Sequence, residues 1–388
     1  MKAVLILTKF PLPLTSGYAI KTMRLINILN SRYSLEIHCI DRTEVNSELI
    51  QELRLHCDSL YIYKPSIYDK VVGFVRLFLK RLPLSVSLFW SEELFKSLKN
   101  RHEEDYLFFG SVGRSAVICY LMQVKAFIDF ADSLYHSYLN FSRESSPLLK
   151  LVYKTESNLF YKFEQRFLVN SFGTFFNSSE IDHLPNNSHK VVPHGVNDSL
   201  FEISESVDYT FSDGIVFIGK MSYIPNILAV KWFVKHVLPM LPLEIKLYVV
   251  GSDPHPSIVS MGESSSNIVI TGFVDNPYPA IRNCICTVAP VTVGAGIQNK
   301  VIESLALGLP TLVSPMASEI FVKQYQLPSA LEICSTPEEW ASRIRNHAKN
   351  KFARNIEAIN FTKKNFSWRA YYAEMSSCMD TYEKKLND

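Results

Sequence analysis

The sequence predicts an α/β protein built from two Rossmann-like, doubly wound domains that face a central cleft. Three observations carry this. Short apolar runs alternate with stretches of helical periodicity almost from the first residue. The runs are near-continuously apolar, as strands of a parallel sheet covered on both faces must be. The alternation lapses in a polar, aperiodic segment, residues 197–213, and then starts again.

The first domain opens with a strand over residues 2–8 and a loop punctuated by Pro11, Pro13 and Gly17. Ile20, Met23, Leu25, Ile26 and Leu29 then give a helix over 18–29. Further strands are expected at 35–40, 60–63, 106–109, 126–130 and 174–176, with helices at 115–122 and 149–170. Residues 191–196 read as a strand ending in a turn. The second series has strands at 214–218, 245–250, 268–271, 285–289, 311–314 and 331–333, and a helix at 226–238. A final helix over 366–386 carries an apolar stripe that includes Phe366, Trp368, Tyr371 and Met375. The expected domains are residues 1–196, completed by the returning helix 366–386, and residues 197–365.

Composition narrows the function classes. The chain has 388 residues, 47% of them hydrophobic and 20% charged, as for globular domains with large cores. Forty basic residues stand against 38 acidic ones, so the net charge of +2 gives no electrostatic case for nucleic acid as a partner. Seven cysteines are scattered without a CxxC pair, and Cys284 and Cys286 read as buried thiols of one strand, which fits a reducing, cytoplasmic location. The apolar run at 3–7 is too short for a signal segment, and no run is long enough to span a bilayer. Residues 67–89, IYDKVVGFVRLFLKRLPLSVSLF, interleave apolar residues with Lys70, Arg76, Lys80 and Arg81. Two readings stand side by side: a basic amphipathic helix lying peripherally on an anionic membrane, and a core helix with outward-reaching charges.

The most informative stretch is VTVGAGIQNKVIESLALGLP, residues 291–310. A strand runs out at Pro290, Gly294 and Gly296 form a turn, and a helix is expected from near Ile297. A glycine turn feeding a helix N-terminus attracts anions. Lys300 adds a mobile positive charge one turn in, and Glu303 sits on nearly the same face, where it can accept bonds from sugar hydroxyls. Phosphate cradle, cation and hydroxyl acceptor together suggest a nucleotide. Two further glycine turns, at Gly17 and at Gly219–Lys220, are placed to contact phosphate; each taken alone is equally an ordinary turn.

With these residues in view, the second half resembles a glycosyltransferase of the GT-B fold, in the large retaining group known as family four. The stretches that carry the likeness are FIGKMSYIPN (217–226), LYVVGSDP (247–254), ITGFVDNPYPAI (270–281) and VAPVTVGAGIQNKVIESLALGLPTLVS (288–314). More weakly, IDFADS (128–133), YKTESNLFYKFEQRFL (153–168) and PHGVND (193–198) are similar to the bacterial enzymes of exported polysaccharide, capsule or lipopolysaccharide synthesis. The resemblance covers most of the chain outside residues 40–110.

The resemblance implies roles position by position. Glu303 matches the glutamate that binds the donor ribose, and Lys220 the basic residue that holds the pyrophosphate. Phe273 and Val274 match the segment beside the nucleobase, and Gly17 the loop against the donor phosphates. Gly296, Ile297, Gln298 and Asn299 match the segment near the diphosphate and ribose, with Gly219 at the strand-end turn. Two positions depart from the pattern: Ala295 stands where a sugar-facing glutamate is frequent, and Pro225 where a lysine is frequent. Lys300 is the candidate to replace that charge.

The expected reaction moves a sugar from a nucleotide-diphosphate sugar to a hydroxyl of a glycan or lipid-linked acceptor, with retention. Lys220 and Lys300 are assigned to the leaving diphosphate. Asp129 and Asp132 are the acceptor-side candidates; Asp129 either orients the acceptor hydroxyl or the sugar, or is a helix N-cap or a loop carboxylate. His194 reads as a turn residue, and Tyr223 and Asn226 as either cleft-lining or structural. The donor is a co-substrate, and no resident cofactor or metal is expected. An epimerase or phosphorylase lacks the residues or length it needs here, whereas Ala295 keeps open a catalytically silent nucleotide-sugar-binding subunit.

Overall fold

A computed structural model describes residues 1–14, 16–41, 45–99, 101, 105–176, 181–203, 208–293, 298–350 and 353–387. The chain forms two compact units. Unit one is Met1–Val192 with Tyr372–Asp388, and unit two is Pro193–Tyr371. The division falls before the polar segment 197–213, because that segment is not all linker. Ser199–Glu202 is a short helix whose Leu200 and Phe201 enter the core of unit two.

Unit one holds a seven-stranded parallel sheet in the order β3-β2-β1-β4-β5-β6-β7. Its strands are β1 (Lys2–Leu7), β2 (Ser34–Ile40), β3 (Ser59–Tyr63), β4 (Tyr106–Ser111), β5 (Phe127–Ala131), β6 (Phe172–Phe175) and β7 (His189–Val191). The strand expected over 191–196 is instead the end of β7. Beyond it Pro193 has no N–H to give a ladder, and Val196 makes only an isolated bridge to Ser367. The helices of this unit are α1 (Gly17–Arg32), α2 (Ser47–Arg54), α3 (Ile67–Leu79), α4 (Glu92–Leu98), α5 (Gly113–Met122), α6 (Leu134–Glu144) and α7 (Pro147–Leu168). Alternate strand residues serve the two faces. Val4, Ile6, Phe108 and Ile128 pack with α5 and α7 in one core cluster.

Residues 67–89 are not one helix. A Ser66–Asp69 capping box starts α3, and a turn of 3-10 helix follows at Leu84–Phe89. Only Gly73 and Leu77 of α3 are buried. Ile67, Tyr68, Val71, Phe74, Phe78 and Leu79 are all exposed.

Unit two holds a six-stranded parallel sheet in the order β10-β9-β8-β11-β12-β13. The strands are β8 (Gly214–Ile218), β9 (Lys246–Val250), β10 (Ile268–Gly272), β11 (Cys286–Ala289), β12 (Thr311–Val313) and β13 (Leu331–Ile333). Helices α8 (Ser199–Glu202), α9 (Ile224–His236), α10 (Pro256–Ser264), α11 (Tyr278–Ile281), α12 (Asn299–Ala306), α13 (Pro315–Gln324), α14 (Pro337–Lys349) and α15 (Ile356–Phe366) belong here. Ile215, Phe217, Leu247 and Val249 join α9 and α14 on one face, while Val216, Tyr248 and Val250 join α12 and α15 on the other. Cys284 and Cys286 are buried and free.

The last helix, α16 (Trp368–Asn387), begins in unit two and returns to unit one from Tyr372. Tyr382 seats it there. Its ring stands edge-on to Phe109 and Phe127, each 5.9 Å away, and its hydroxyl donates to the Lys125 carbonyl at 3.2 Å. Arg32 pairs with Asp380 and Glu383 of the same helix.

Candidate functional site

In an open parallel sheet, ligands gather at the carboxyl ends of the strands where the winding reverses. In unit two that point lies between β8 and β11. The sequence places a glycine directly after β8 and another directly after β9. Gly219 has φ +153 and Gly251 φ +150, conformations that side chains other than glycine rarely adopt. A β-carbon on Gly251 would lie 1.9 Å from the Gly219 carbonyl oxygen, so the two turns are in backbone contact. Gly219 N–H donates to Val250 and Gly251 N–H to Gly272, both at 3.0 Å.

This close turn leaves room for Asn226 and Lys300. Pro225 lies in the first turn of α9, where its lack of an N–H costs nothing. Next to it, Asn226 is buried and uses both ends of its amide. Its nitrogen donates to the Lys220 carbonyl at 2.9 Å, and its oxygen accepts from Lys300 Nζ at 3.0 Å. Lys300 Nζ also donates to Gln298 Oε1 at 3.1 Å and lies 5.1 Å from the centre of the Phe217 ring. Lys300 is therefore a fixed, buried cation, 9% exposed, and not the mobile charge expected from its length. Burial pulls its pKa down to about 8, and Glu303 opposes that pull.

Helix α12 begins at Asn299, later than expected, with Gln298 at its N-cap. Gln298 makes no side-chain capping bond, and its carbonyl accepts the Val301 N–H at 2.8 Å. His194 Nε2 donates to Asn299 Oδ1 at 2.6 Å, so the turn residue His194 reaches this helix start. Gly294, Ala295, Gly296 and Ile297 lie outside the described residues. The far end of α12 closes with a Schellman pair: Gly308 N–H bonds the Leu305 carbonyl and Leu309 N–H that of Ser304.

Glu303, half-buried one turn along α12, lies near Tyr278, whose phenol favours the ionised carboxylate. Burial raises the Glu303 pKa, while Tyr278 and Lys300 favour its ionised form. Burial and the nearby carboxylate push the Tyr278 phenol up. Sequence reasoning missed Tyr278, although it stands within the quoted segment ITGFVDNPYPAI; nothing in the spacing joins it to α12.

Lys220 lies at the same turn but points outward. Its ammonium is 3.3 Å from Asp253, with both side chains more than half exposed, a pair worth little by itself. Phe273, after β10, is 73% exposed, and Val274 packs against the core. Tyr223 is exposed at the start of α9.

Gly17 and Asp129 belong to unit one. Gly17 is the first residue of α1, capped by Ser16, with open space where a β-carbon would sit. Asp129 is buried in the middle of β5 and is not a helix cap. Its Oδ1 accepts from Lys21 Nζ at 2.6 Å and from Thr174 Oγ1 at 2.9 Å. Lys21 Nζ lies 3.6 Å from the centre of the Phe176 ring.

Two parallel-sheet units and a C-terminal helix returning to the first define a GT-B fold. The solved structures that match it belong to that class. Anabaena Alr3699/HepE, crystallised with UDP, aligns over 98% of this chain and 100% of its own, at TM-score 0.65 and 11% identity. Sucrose-phosphate synthase from Thermosynechococcus elongatus aligns over 98% of both chains, at TM-score 0.65 and 14% identity. The lipopolysaccharide outer core galactosyltransferase WaaB aligns over 98% of this chain and 99% of its own, at TM-score 0.66 and 11% identity. Within the chain, residues 212–350 match the family described as Glycosyl transferases group 1, a span that includes Gly219, Asn226, Lys300 and Glu303. No curated protein matches the chain in sequence.

Proposed function

We propose that the protein is a retaining glycosyltransferase that moves a sugar from a nucleotide-diphosphate sugar to a hydroxyl of a glycan or lipid-linked acceptor. The observation that carries this is the Gly219–Asn226–Lys300 arrangement at the winding reversal of unit two, with Glu303 one helical turn beyond. A close-packed backbone turn, a fixed cation and a helix N-terminus suit a diphosphate. The half-buried carboxylate suits ribose hydroxyls. The group 1 match over the same residues supports the reading.

In this reading Glu303 accepts from the ribose, with Tyr278 favouring its ionised form. Phe273 and Val274 are assigned to the base, and Gly17, Gln298 and Asn299 to the phosphates. Lys300 and Lys220 stabilise charge on the leaving diphosphate. The bond from the anomeric carbon to the phosphate oxygen breaks as the acceptor oxygen bonds to the same face. The acceptor proton passes to the departing phosphate oxygen. The two lysines supply the countercharge, so the reading calls for no metal. Asp129 belongs on the acceptor side as a positioning residue that acts through Lys21.

The setting we propose is surface-polysaccharide or lipopolysaccharide synthesis at the cytoplasmic face of a membrane. Contact there runs through the exposed apolar side chains of α3 and their basic neighbours. Among the described residues no helix is long and apolar enough to cross a membrane.

A thermal-shift panel with UDP, GDP, ADP and their sugars tests the donor site, since a bound ligand raises the melting temperature by mass action. Turnover of the stabilising sugar nucleotide with a membrane-lipid extract tests transfer. Stabilisation without turnover would favour the second reading that Ala295 suggests, a silent nucleotide-sugar-binding subunit. Absence of stabilisation by every nucleotide would overturn both.

A further inference from the structure

Helices α6 and α7 form the crossover between two parallel neighbours, β5 and β6. Helix α6 leaves the carboxyl end of β5, and α7 delivers the chain to the amino end of β6. The 22 residues of α7 span roughly 33 Å, whereas the five residues of β5 span about 17 Å. Glu164 of α7 accepts the Leu134 N–H at the start of α6 at 3.0 Å. The part of α7 that precedes Glu164 therefore runs back along α6, and the hairpin tip stands beyond the sheet on the side of the strand carboxyl ends.

The base of this hairpin is fixed. Glu164 is fully buried and also accepts from Ser133 Oγ at 2.7 Å. Glu156, likewise buried, accepts the Leu84 and Ser85 N–H groups at 3.0 and 2.7 Å. Tyr138 stacks on Phe160 with 5.5 Å between ring centres, and Phe141 meets Tyr153 at 5.9 Å.

The tip is different. Phe141, Leu148, Leu149, Leu151 and Val152 are all exposed, Leu148 by 77% and Leu151 by 66%. Leu148, Leu151 and Val152 are spaced i, i+3, i+4 and share one helix face, with Lys150 and Lys154 on the next. Both acids of α7, Glu156 and Glu164, are turned inward into the bonds just given, while its bases Lys150, Lys154, Lys162 and Arg166 are exposed. An apolar stripe flanked by lysines, on a helix with no outward acid, is complementary to acyl chains beneath anionic headgroups. A stable protein interface takes roughly 20–30 residues a side, and this projecting end presents five large apolar ones.

We propose that the α6–α7 tip inserts into the headgroup region of an anionic bilayer, as a contact additional to α3. The proposal deepens the membrane setting given above and rests on it. Ligands of an open parallel sheet gather at the strand carboxyl ends, and the tip stands on that side of the unit-one sheet. A bilayer met by the tip faces those strand ends, so a lipid-linked acceptor reaches unit one without leaving the membrane.

The test is co-sedimentation of the full chain, without sugar nucleotide, with vesicles of phosphatidylcholine alone and of phosphatidylcholine mixed with phosphatidylglycerol. L148S/L151S, at exposed positions, should keep the wild-type melting temperature and bind the mixed vesicles at least about tenfold more weakly. K150Q/K154Q should lose affinity for the mixed vesicles only. L151W should add fluorescence that acyl-brominated lipid in the mixed vesicles quenches. Absence of wild-type binding to either vesicle overturns the proposal. So does unchanged binding by L148S/L151S with no quenching in L151W. A wild-type dimer that L148S/L151S converts to monomers, at unchanged vesicle affinity, also overturns it by assigning the tip to a second copy. Weakened binding by L148S/L151S with wild-type binding by F74S/F78S supports the tip and removes α3. Binding is read without turnover, so absence of sugar transfer removes the transferase reading and leaves the tip contact standing.

Discussion

Lys300 and Asn226 form one unit: the lysine ammonium sits 3.0 Å from the amide oxygen, while the amide nitrogen holds the Lys220 carbonyl at 2.9 Å. One buried asparagine thus ties the strand-end turn to the cation. Lys300 titrates near 8 because it is buried. A diphosphate bound beside it restores the protonated form. Nucleotide diphosphate binding at pH 9 should therefore take up close to one proton, and at pH 6.5 almost none, measured by titration calorimetry in buffers of different ionisation enthalpy. K300M should abolish the uptake. The sign for stability is opposite to that of a salt-bridged lysine. The folded value lies below the ordinary 10.5, so the contribution of Lys300 is most favourable above 10.5 and is lost as pH falls through about 8. K300M should thus gain stability relative to wild type below pH 8.

The glycines separate fold from function. G251A puts a β-carbon 1.9 Å from the Gly219 oxygen at φ +150. It should cost roughly 3–5 kcal/mol in denaturant melts. G17A meets nothing within 4 Å at the first position of α1 and should be neutral or stabilising by up to about 1 kcal/mol. Weaker nucleotide binding in a G17A protein of unchanged stability would place Gly17 against the donor.

The alternating architecture and the ends of most strands were legible because buried parallel strands are apolar runs with glycine close behind. β8 and β13 have the expected limits. Helices α14 and α15 were not read, because their buried positions, such as Trp340, Ala341 and Ile344, sit among many polar residues. Lys300 and Glu303 were legible from their spacing on α12. The buried state of Lys300 was not, since it depends on Asn226 and Phe217, brought in from more than seventy positions away by sheet order. Tyr278 reaches Glu303 by the same route, and a strand's burial likewise hid the pairing of Asp129 with Lys21.

Tyr278 makes the ribose assignment testable in two steps. E303A should weaken UDP binding by about 1.5–3 kcal/mol, the range for a hydrogen bond to a charged group. Y278F removes only the hydroxyl that favours the ionised form of Glu303. It should weaken UDP by less, and the loss should grow as pH falls, because the Glu303 pKa rises further without that hydroxyl. A pH-independent Y278F effect would mean that Tyr278 contacts the nucleotide directly.

The outward face of α3 predicts salt-sensitive membrane binding. Wild-type protein should sediment with vesicles containing anionic lipid, less so with neutral ones, and release as ionic strength rises. K80Q/R81Q should reduce the anionic preference. F74S/F78S, at exposed positions, should reduce binding to both vesicle types with little change in melting temperature. Equal sedimentation of wild type and both variants would exclude α3 as the contact.

Lys21 and Asp129 test whether the acceptor-side carboxylate is structural or chemical. Both side chains are under 10% exposed and lie 2.6 Å apart. Removing one partner strands the other, so K21M and D129L should each cost about 3–5 kcal/mol, whereas K21M/D129L should recover much of that loss. Thr174 also donates to Asp129, so the recovery stays short of complete. If the double variant folds and still transfers sugar, the pair serves only the fold. If it folds, binds UDP normally and loses kcat, Asp129 positions the acceptor side through Lys21.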